Sequence, residues 1–509
     1  MKKSLIVMVI ILTIVLVGVF AGCELVDSIT GKDTGNIAIP ENTDNQDTTE
    51  AAEAVTDNSV TAKEVTGDFS LTTSDGTYTQ NGNIYTITTA GTYTLEGALT
   101  GQIVVDAGDD DTIVLELNGT TITYSEDSPI KILNADEVEI SAKSGTDNVI
   151  KDTRAHKTTD TDTQGEGAIY AKCDLKIKGT GTLVISANYN NGIHTTKDLT
   201  IQKLSLKVTA YNNAIKGNDS IEIKSGTIVA ISTNGDGIKT ENTDANKKGV
   251  TRGDITFGGG SIAIYAAGDG VQAAHNFTMN SADGETSANV VIYTGSYSGY
   301  TASNASTTSY KGVKVQNILS IENGEITLYT YDDGLHADYG TTFEDGTTGV
   351  GTITIAGGTV NAAVYSPANK TSMGRQGPGG FQNQQTVAGA DAIHADYILN
   401  ITGGTITIDS SYEGLEATII NISGGYTVVS ANDDGINAAK KVNTTPQINI
   451  SGGYLEVNVS PSGDTDGIDS NGTYTQTGGI VIAKSTRRNG FWSLFYYTLV
   501  FCICIFIIT

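Results

Sequence analysis

Positive charge is scarce in this chain. Against 57 Asp plus Glu there are 30 Lys plus Arg, a formal net charge of −27, and arginine occurs only at 154, 252, 375, 487 and 488. Such an excess repels phosphate backbones and anionic lipid surfaces, so nucleic acid is excluded as a natural partner, and an acidic polymer would need a bridging cation. Cysteine is equally sparse. Cys23, Cys173, Cys502 and Cys504 show neither the paired spacing of a zinc site nor the density of a disulfide scaffold, and Cys173 reads as a small buried residue. Long helical patterns are missing outside the two ends. With 60 Gly, only 6 Pro and abundant Thr, Ile, Val and Tyr, the composition favours short strands joined by tight turns over helices.

What the chain does have is a recurring phrase: an acidic or amide residue, then Gly or Ala, then an aliphatic. It reads Asn191-Gly192-Ile193, Asn213-Ala214-Ile215, Asp236-Gly237-Ile238, Asp269-Gly270-Val271, Asp333-Gly334-Leu335, Asp391-Ala392-Ile393, Glu413-Gly414-Leu415, Asp434-Gly435-Ile436 and Asp466-Gly467-Ile468. Lys311-Gly312-Val313 is a variant, and Gly167-Ala168-Ile169 a weaker copy. The aliphatic positions are 24, 22, 23, 33, 42, 22, 58, 22, 21 and 32 residues apart, a step of 21 to 24 broken by insertions. A fixed short step over hundreds of residues marks a solenoid, which escapes the usual size limit on one core.

One repeat shows the build. In Asp391 to Ser411, Ile398, Leu399 and Ile401 form an apolar patch, Ile406 and Ile408 alternate with Thr, and Gly403-Gly404 marks a turn. Alternation over a few residues is the mark of a strand with one buried face, and the Gly-Gly pair suits a turn at positive φ. Each coil therefore carries two or three strands. A dozen coils about 4.8 Å apart make a rod of roughly 50 to 60 Å, starting near Gly67.

Thr92-Tyr93-Thr94-Leu95-Glu96-Gly97, Ile103-Val104-Val105-Asp106, Leu117-Asn118-Gly119, Ser411-Tyr412-Glu413-Gly414-Leu415-Glu416-Ala417, Asp433-Asp434-Gly435-Ile436-Asn437-Ala438 and Asp466-Gly467-Ile468-Asp469-Ser470-Asn471-Gly472 carry a family resemblance in order as well as motif. From about Gly67 to Lys484 the chain resembles the clostridial-type carbohydrate-binding β-helix family, extracellular proteins similar in fold to pectate lyases. The resemblance implies an all-β, single-stranded right-handed parallel β-helix, here of about 12 or more coils. It also implies Ca²⁺ held by acidic turns, and binding of cellulose-like and acidic plant polysaccharides without catalysis. The final coils depart from the pattern, because an apolar tail replaces them.

The ends fall outside the repeat. Met1-Lys2-Lys3, the apolar run Leu5 to Val19 and Phe20-Ala21-Gly22-Cys23 form a secretory signal over residues 1–22. It resembles a lipoprotein signal in which Cys23 is lipidated, although Phe20 stands where Leu is usual; a plain anchor or ordinary signal peptide are the alternatives, and all three place the remainder outside the cytoplasm. Residues 23–66 are acidic and rich in Thr, Asp and Asn, too polar to fold, and read as a disordered tether. The helical rod is expected over 67–485. In the tail 486–509, Phe491 to Ile508 is almost wholly apolar and barely long enough to cross a bilayer, so it is either a tail anchor or a truncated or frame-shifted end.

Two sets of residues are candidates for chemistry. The acidic turn residues Asp236, Asp269, Asp333, Asp391, Glu413, Asp434 and Asp466 stack as like charges, which a Ca²⁺ taking six to eight oxygens would neutralise; the plain alternative is that Asx before Gly makes good turns. One residue past the aliphatic, His194, Lys216, Lys239, Gln272, Lys314, His336, His394, Glu416, Asn437 and Asp469 are expected to point outward as a mixed polar column suited to sugar hydroxyls. His336, His394 and Glu416 are the carbohydrate-binding candidates within it. Tyrosines such as Tyr265, Tyr293, Tyr329 and Tyr365 offer flat faces for pyranose rings or else cover strand edges, and Tyr297 and Tyr300, in an insertion, are the favoured pair.

The reading is a monomeric, surface-tethered, calcium-assisted binder of plant-type polysaccharide, held at the membrane by its N-terminal lipid. A pectate-lyase-like enzyme is the rival, needing a base such as Lys239 or Lys314 beside the cation, and a structural adhesin is the third possibility.

Overall fold

The computed structural model describes residues 59–157, 165–281, 287–295, 309–365, 389–460 and 465–484. All belong to one compact unit, Thr48–Thr509. The described residues hold strands and no α-helix. Cys23, Tyr297, Tyr300, the insertion 366–388 and the apolar tail lie outside them.

The chain winds as a parallel β-helix with three strands in most coils, and each strand pairs with its counterpart one coil away. In the first sheet the repeat's aliphatic position is a continuous register: Ile103, Ile130, Ile169, Ile193, Ile215, Ile238, Val271, Val313, Leu335, Ile393, Leu415, Ile436 and Ile468. The weaker copy at Ile169 is thus a genuine coil. In the second sheet Val138, Leu175, Leu199, Ile221, Ile255 and Phe277 stack in the same way. Ile150, Ile185, Val208, Ala230, Ile264 and Ile292 do so in the third. These columns point inward and merge into one core cluster running from Leu71 to Val459. Insertions such as 241–253 and 338–351 leave the coil and return to the same register, which is why the spacing jumps without disturbing the stack.

The turn between the second and third sheets needs glycine for two different reasons. Gly425 has φ of +82°, in the left-handed region that penalises a Cβ. Gly424 does not; there an added Cβ would sit 2.3 Å from the Thr402 carbonyl oxygen of the preceding coil. Close coil approach thus accounts for the first glycine, and positive φ adds to it at the second, where a Cβ would also sit 2.7 Å from the Gly403 carbonyl oxygen.

The N-terminal end is not the simple first coil expected near Gly67. Ser70–Thr73 pairs antiparallel with the strand Gly91–Thr100, and Tyr78–Asn81 forms a hairpin with Ile84–Ile87. These antiparallel pairs close the end of the stack, protecting an edge that parallel coils would leave open. Ahead of the cap, residues 59–66 fold onto the outer surface of the third sheet. Val60 is buried against Val229, Ile231 and Tyr265, the Lys63 N–H donates to Asp147 Oδ2 at 3.1 Å, Lys151 pairs with Glu64, and the Val65 N–H donates to Thr121 Oγ1 at 2.8 Å.

Candidate functional site

The acidic turn residues form a single column at the corner leading into the first sheet. Each carboxylate or amide oxygen accepts the backbone N–H of its counterpart one coil on. Asn213 N–H reaches Asn191 Oδ1 (3.2 Å), Asp236 N–H reaches Asn213 Oδ1 (2.9 Å), Asp269 N–H reaches Asp236 Oδ1 (2.9 Å), and Lys311 N–H reaches Asp269 Oδ1 (2.7 Å). After the break at Lys311 the pattern resumes: Asp391 N–H to Asp333 Oδ1 (2.8 Å), Glu413 N–H to Asp391 Oδ1 (3.2 Å) and Asp466 N–H to Asp434 Oδ1 (2.8 Å). Where Lys311 stands in the acidic position, Asp332 takes over and caps the Asp333 N–H at 2.9 Å. Asx at the corner therefore does structural work in most of these coils, satisfying a donor the corner would otherwise bury. In Asp236, Asp269, Asp333, Asp391 and Asp434 one oxygen is committed in this way.

Beside this column the neighbouring register runs Lys314, His336, His394, Glu416, Asn437 and Asp469. The expected alignment is present; the expected outward exposure is not. His336, His394 and Glu416 are 8%, 9% and 5% exposed, because each side chain bends against the acidic corner. His336 Nδ1 lies 2.7 Å from Asp333 Oδ2 and its Nε2 2.8 Å from Asp338 Oδ1. His394 Nδ1 lies 2.8 Å from Asp391 Oδ2 and 2.9 Å from Glu416 Oε2, and its Nε2 is 3.4 Å from Asp396 Oδ1. Each His-Ala-Asp triplet thus supplies its own hydrogen-bond partner, and the two rings stack 4.8 Å apart. With both nitrogens engaged, neither histidine faces a ligand.

Lysines complete the balance at one end of the column. Lys311 Nζ bridges Asp332 (2.8 Å) and Asp333 (3.1 Å), and Lys441 Nζ meets Glu416 Oε1 at 2.8 Å. Burial pushes Asp333 upward, but Lys311 and His336 overcome it and hold the carboxyl well below its usual range. Burial opposes the charge on His394, yet hydrogen bonds to Asp391, Asp396 and Glu416 raise it well above its ordinary value. Glu416, buried but bonded to His394, falls to about 2.

The next acids crowd one another. Glu413, Asp433 and Asp434 are buried and each brings a carboxylate oxygen within 4.8 Å of the others. The hydrogen bond to the Glu413 carboxylate comes from a neutral amide, Asn437 Nδ2 at 2.9 Å. Burial, then the charge of Glu416, pushes Glu413 up to about 8; burial and Asp433 push Asp434 up to about 6. The donor set is all oxygen, crowded and negatively charged, which fits a hard cation such as Ca²⁺. Asp333 and Asp391 belong to two further acid-histidine groups of metal-binding geometry, but there His336 and His394 already supply hydrogen bonds and charge. Asp236 pairs with Lys239 at 2.9 Å, and Asp269, with burial and Asp236 raising it to about 6, shares the corner column. Sequence reasoning placed the acids and missed the counter-ions: Lys441 lies outside the motif, and only the fold brings it to Glu416.

The tyrosines also differ from expectation. On the outer face of the third sheet Tyr265, Tyr293 and Tyr329 stack on one another at 5.1 and 4.8 Å, and Tyr365 extends the row at 6.4 Å. The faces available for pyranose rings are occupied by other tyrosines.

A protein from Acetivibrio thermocellus described as carbohydrate-binding domain-containing is 34% identical over 199 residues, 39% of this chain and 68% of the relative. A solved structure of a polysaccharide lyase-like protein from C. thermocellum, a gadolinium derivative, is similar at 34% identity, covering 49% of this chain and 90% of that one with a TM-score of 0.42. The model of the carbohydrate-binding domain-containing protein family matches residues 81–354, over half of the chain, and the chain belongs to that family.

Proposed function

We propose that this protein is a non-catalytic, calcium-assisted binder of plant cell-wall-type polysaccharide, held at the bacterial cell surface through a lipid on Cys23. One observation carries the reading: among the described residues the candidate cationic bases are spent in ion pairs, while the buried carboxylates of Glu413, Asp433 and Asp434 crowd within 4.8 Å of one another. Lys239 is paired with Asp236 and its affinity for the proton is raised, burial opposing and Asp236 prevailing; a base needs the reverse. Lys314 faces Asp338 at 3.7 Å. Arg154 is buried on Asp152 at 2.6 Å, and Arg252 is held by Asp219 at 3.0 Å and by Asp244. Glu413, Asp433 and Asp434 would hold the cation, which supplies the positive charge that a chain of net charge −27 otherwise lacks for a uronate polymer.

The test incubates the full chain with polygalacturonate and with insoluble cellulose, with and without a chelator, while following the absorbance of unsaturated products. Retention of polygalacturonate that is lost with chelator, at flat absorbance, is the expected result. Rising absorbance would replace this reading with a lyase; retention of neither polymer would replace it with an adhesin.

A further inference from the structure

The acidic corner is buried and its side chains engage one another, and the tyrosine row stacks on itself. A different place on the surface has what a neutral ring needs. In the outward column of the third sheet that carries Tyr265, Tyr293 and Tyr329, the earlier coils hold Ser186 and Thr209 in the same register. Replacing tyrosines by small hydroxyl residues leaves a groove of about 160 Å³, lined by His156, Ser186, Asn188, Thr209, Tyr211 and Thr233. The volume lies below the ~300 Å³ at which pockets for whole small molecules begin, and suits one ring of a longer chain.

One wall is aromatic. The His156 imidazole stacks on the Tyr211 ring with centroids 4.0 Å apart and planes 16° from parallel. This wall is built in advance, because the excursion that brings His156 over Tyr211 is fastened from within. Arg154, 4% exposed, donates from Nε and Nη2 to the two Asp152 oxygens at 2.9 and 2.6 Å, reaches the Gly165 carbonyl at 2.9 Å, and lies 3.8 Å from the centre of the Tyr189 ring. The Lys157 N–H donates to the Tyr189 carbonyl at 2.9 Å. Asn188 Nδ2 donates to the Arg154 carbonyl at 2.9 Å, and His156 Nδ1 donates to the Asn188 carbonyl at 2.6 Å. The last bond leaves His156 Nε2 as the unengaged ring nitrogen.

The rest of the lining is polar and short of partners. Among the described residues the hydroxyls of Ser186, Thr209 and Tyr211 make no hydrogen bond within the protein, and Thr233 Oγ1 makes only long contacts of 3.3 Å. Hydroxyls that donate and accept, beside a flat aromatic wall and without a lysine, arginine or carboxylate in the lining, match an uncharged pyranose. A uronate would find no cation there.

We propose that this groove is a subsite for a neutral hexose unit of a β-glucan-type chain, separate from the acidic corner; it rests on the polysaccharide-binding reading above. The test measures binding of cellohexaose to the full chain by calorimetry in chelator, so that the cation site is silent, beside Tyr211→Ala and Thr209→Tyr. Thr209→Tyr fills the groove with the residue that the same column carries three coils in a row, so it should fold, as circular dichroism will check. Expected is measurable cellohexaose binding by the parent, weakened at least tenfold in both variants, with calcium-dependent retention of polygalacturonate unchanged. Equal affinity of the parent and a folded Thr209→Tyr variant would overturn the groove while leaving polysaccharide binding intact. Parent protein that binds polygalacturonate but not cellohexaose would also overturn it, and failure with both polymers would overturn the parent reading itself.

Discussion

His394 Nδ1 lies 2.8 Å from Asp391 Oδ2, and the two residues are three apart in one coil, so the repeat motif supplies both halves of a buried acid–histidine hydrogen bond. Asp391 is pushed well above its usual range, chiefly by burial with Asp333 adding to it and His394 opposing. Because His394 is raised above the ~6.5 of an unfolded histidine, its stabilisation is complete below that pH and lost as pH climbs through the folded value. His394→Gln should therefore cost on the order of 3 kcal/mol at pH 6. Thermal melting should show the gap to the parent narrowing steadily above neutrality; a gap independent of pH would rule out a protonated imidazole here.

Glu413 follows the same direction as His394, its contribution also being lost as pH rises. Its carboxyl, normally 4.5, is pushed up to about 8 by burial and then Glu416, so the folded state holds its proton harder than the unfolded chain does. The favourable contribution is full below about pH 4.5 and lost as pH rises to 8. In chelator, Glu413→Gln should melt above the parent at pH 8 and near it at pH 4.5. A lower melting point at pH 8 would mean that the carboxylate is stabilising as an anion.

Calcium should reverse that loss. At a concentration of 100 times its dissociation constant a ligand stabilises by about 2.7 kcal/mol, and the melting point of the parent at pH 8 should rise accordingly. Asp434→Asn, which keeps the acceptor for the Asp466 N–H at 2.8 Å but removes the charge, should show a much smaller rise. An undiminished rise would move the cation elsewhere.

The two glycines of one turn should respond differently. Gly425→Ala pays for a left-handed backbone, about 1–2 kcal/mol, and also sets its methyl 2.7 Å from the Gly403 carbonyl oxygen. Gly424→Ala meets only a carbonyl oxygen, 2.3 Å from the new methyl, and is expected to cost less. Melting points in the reverse order would show that the coils part less easily than the turn rewinds.

The coil was legible because stacking imposes one requirement on one position: whatever follows the Asx-Gly corner enters the core, and Ile193, Leu335 and Ile436 say so plainly. The insertions were legible as gaps in that register. What could not be read is anything set by side chains from different coils. Nothing in His336 or Glu416 announces burial, since a residue outside the core is exposed or covered according to its neighbours' length. Lys441 and Arg154 fall outside the repeated phrase, and the fold makes each the partner of a buried acid. The groove beside Tyr211 is a still subtler case, defined by Ser186 and Thr209 being smaller than the tyrosines that share their column.

Val60 rests on Val229, Ile231 and Tyr265, while five residues later Val65 is bonded to Thr121, several windings nearer the cap. A pull on the chain ahead of Ser59 therefore arrives at the flank of the stack. Such a load first peels a short strap, one anchorage after another, from Val60 through Glu64 to Val65, before any winding is stressed. The strap thus acts as a mechanical fuse, and the coils behind it stay assembled under tension.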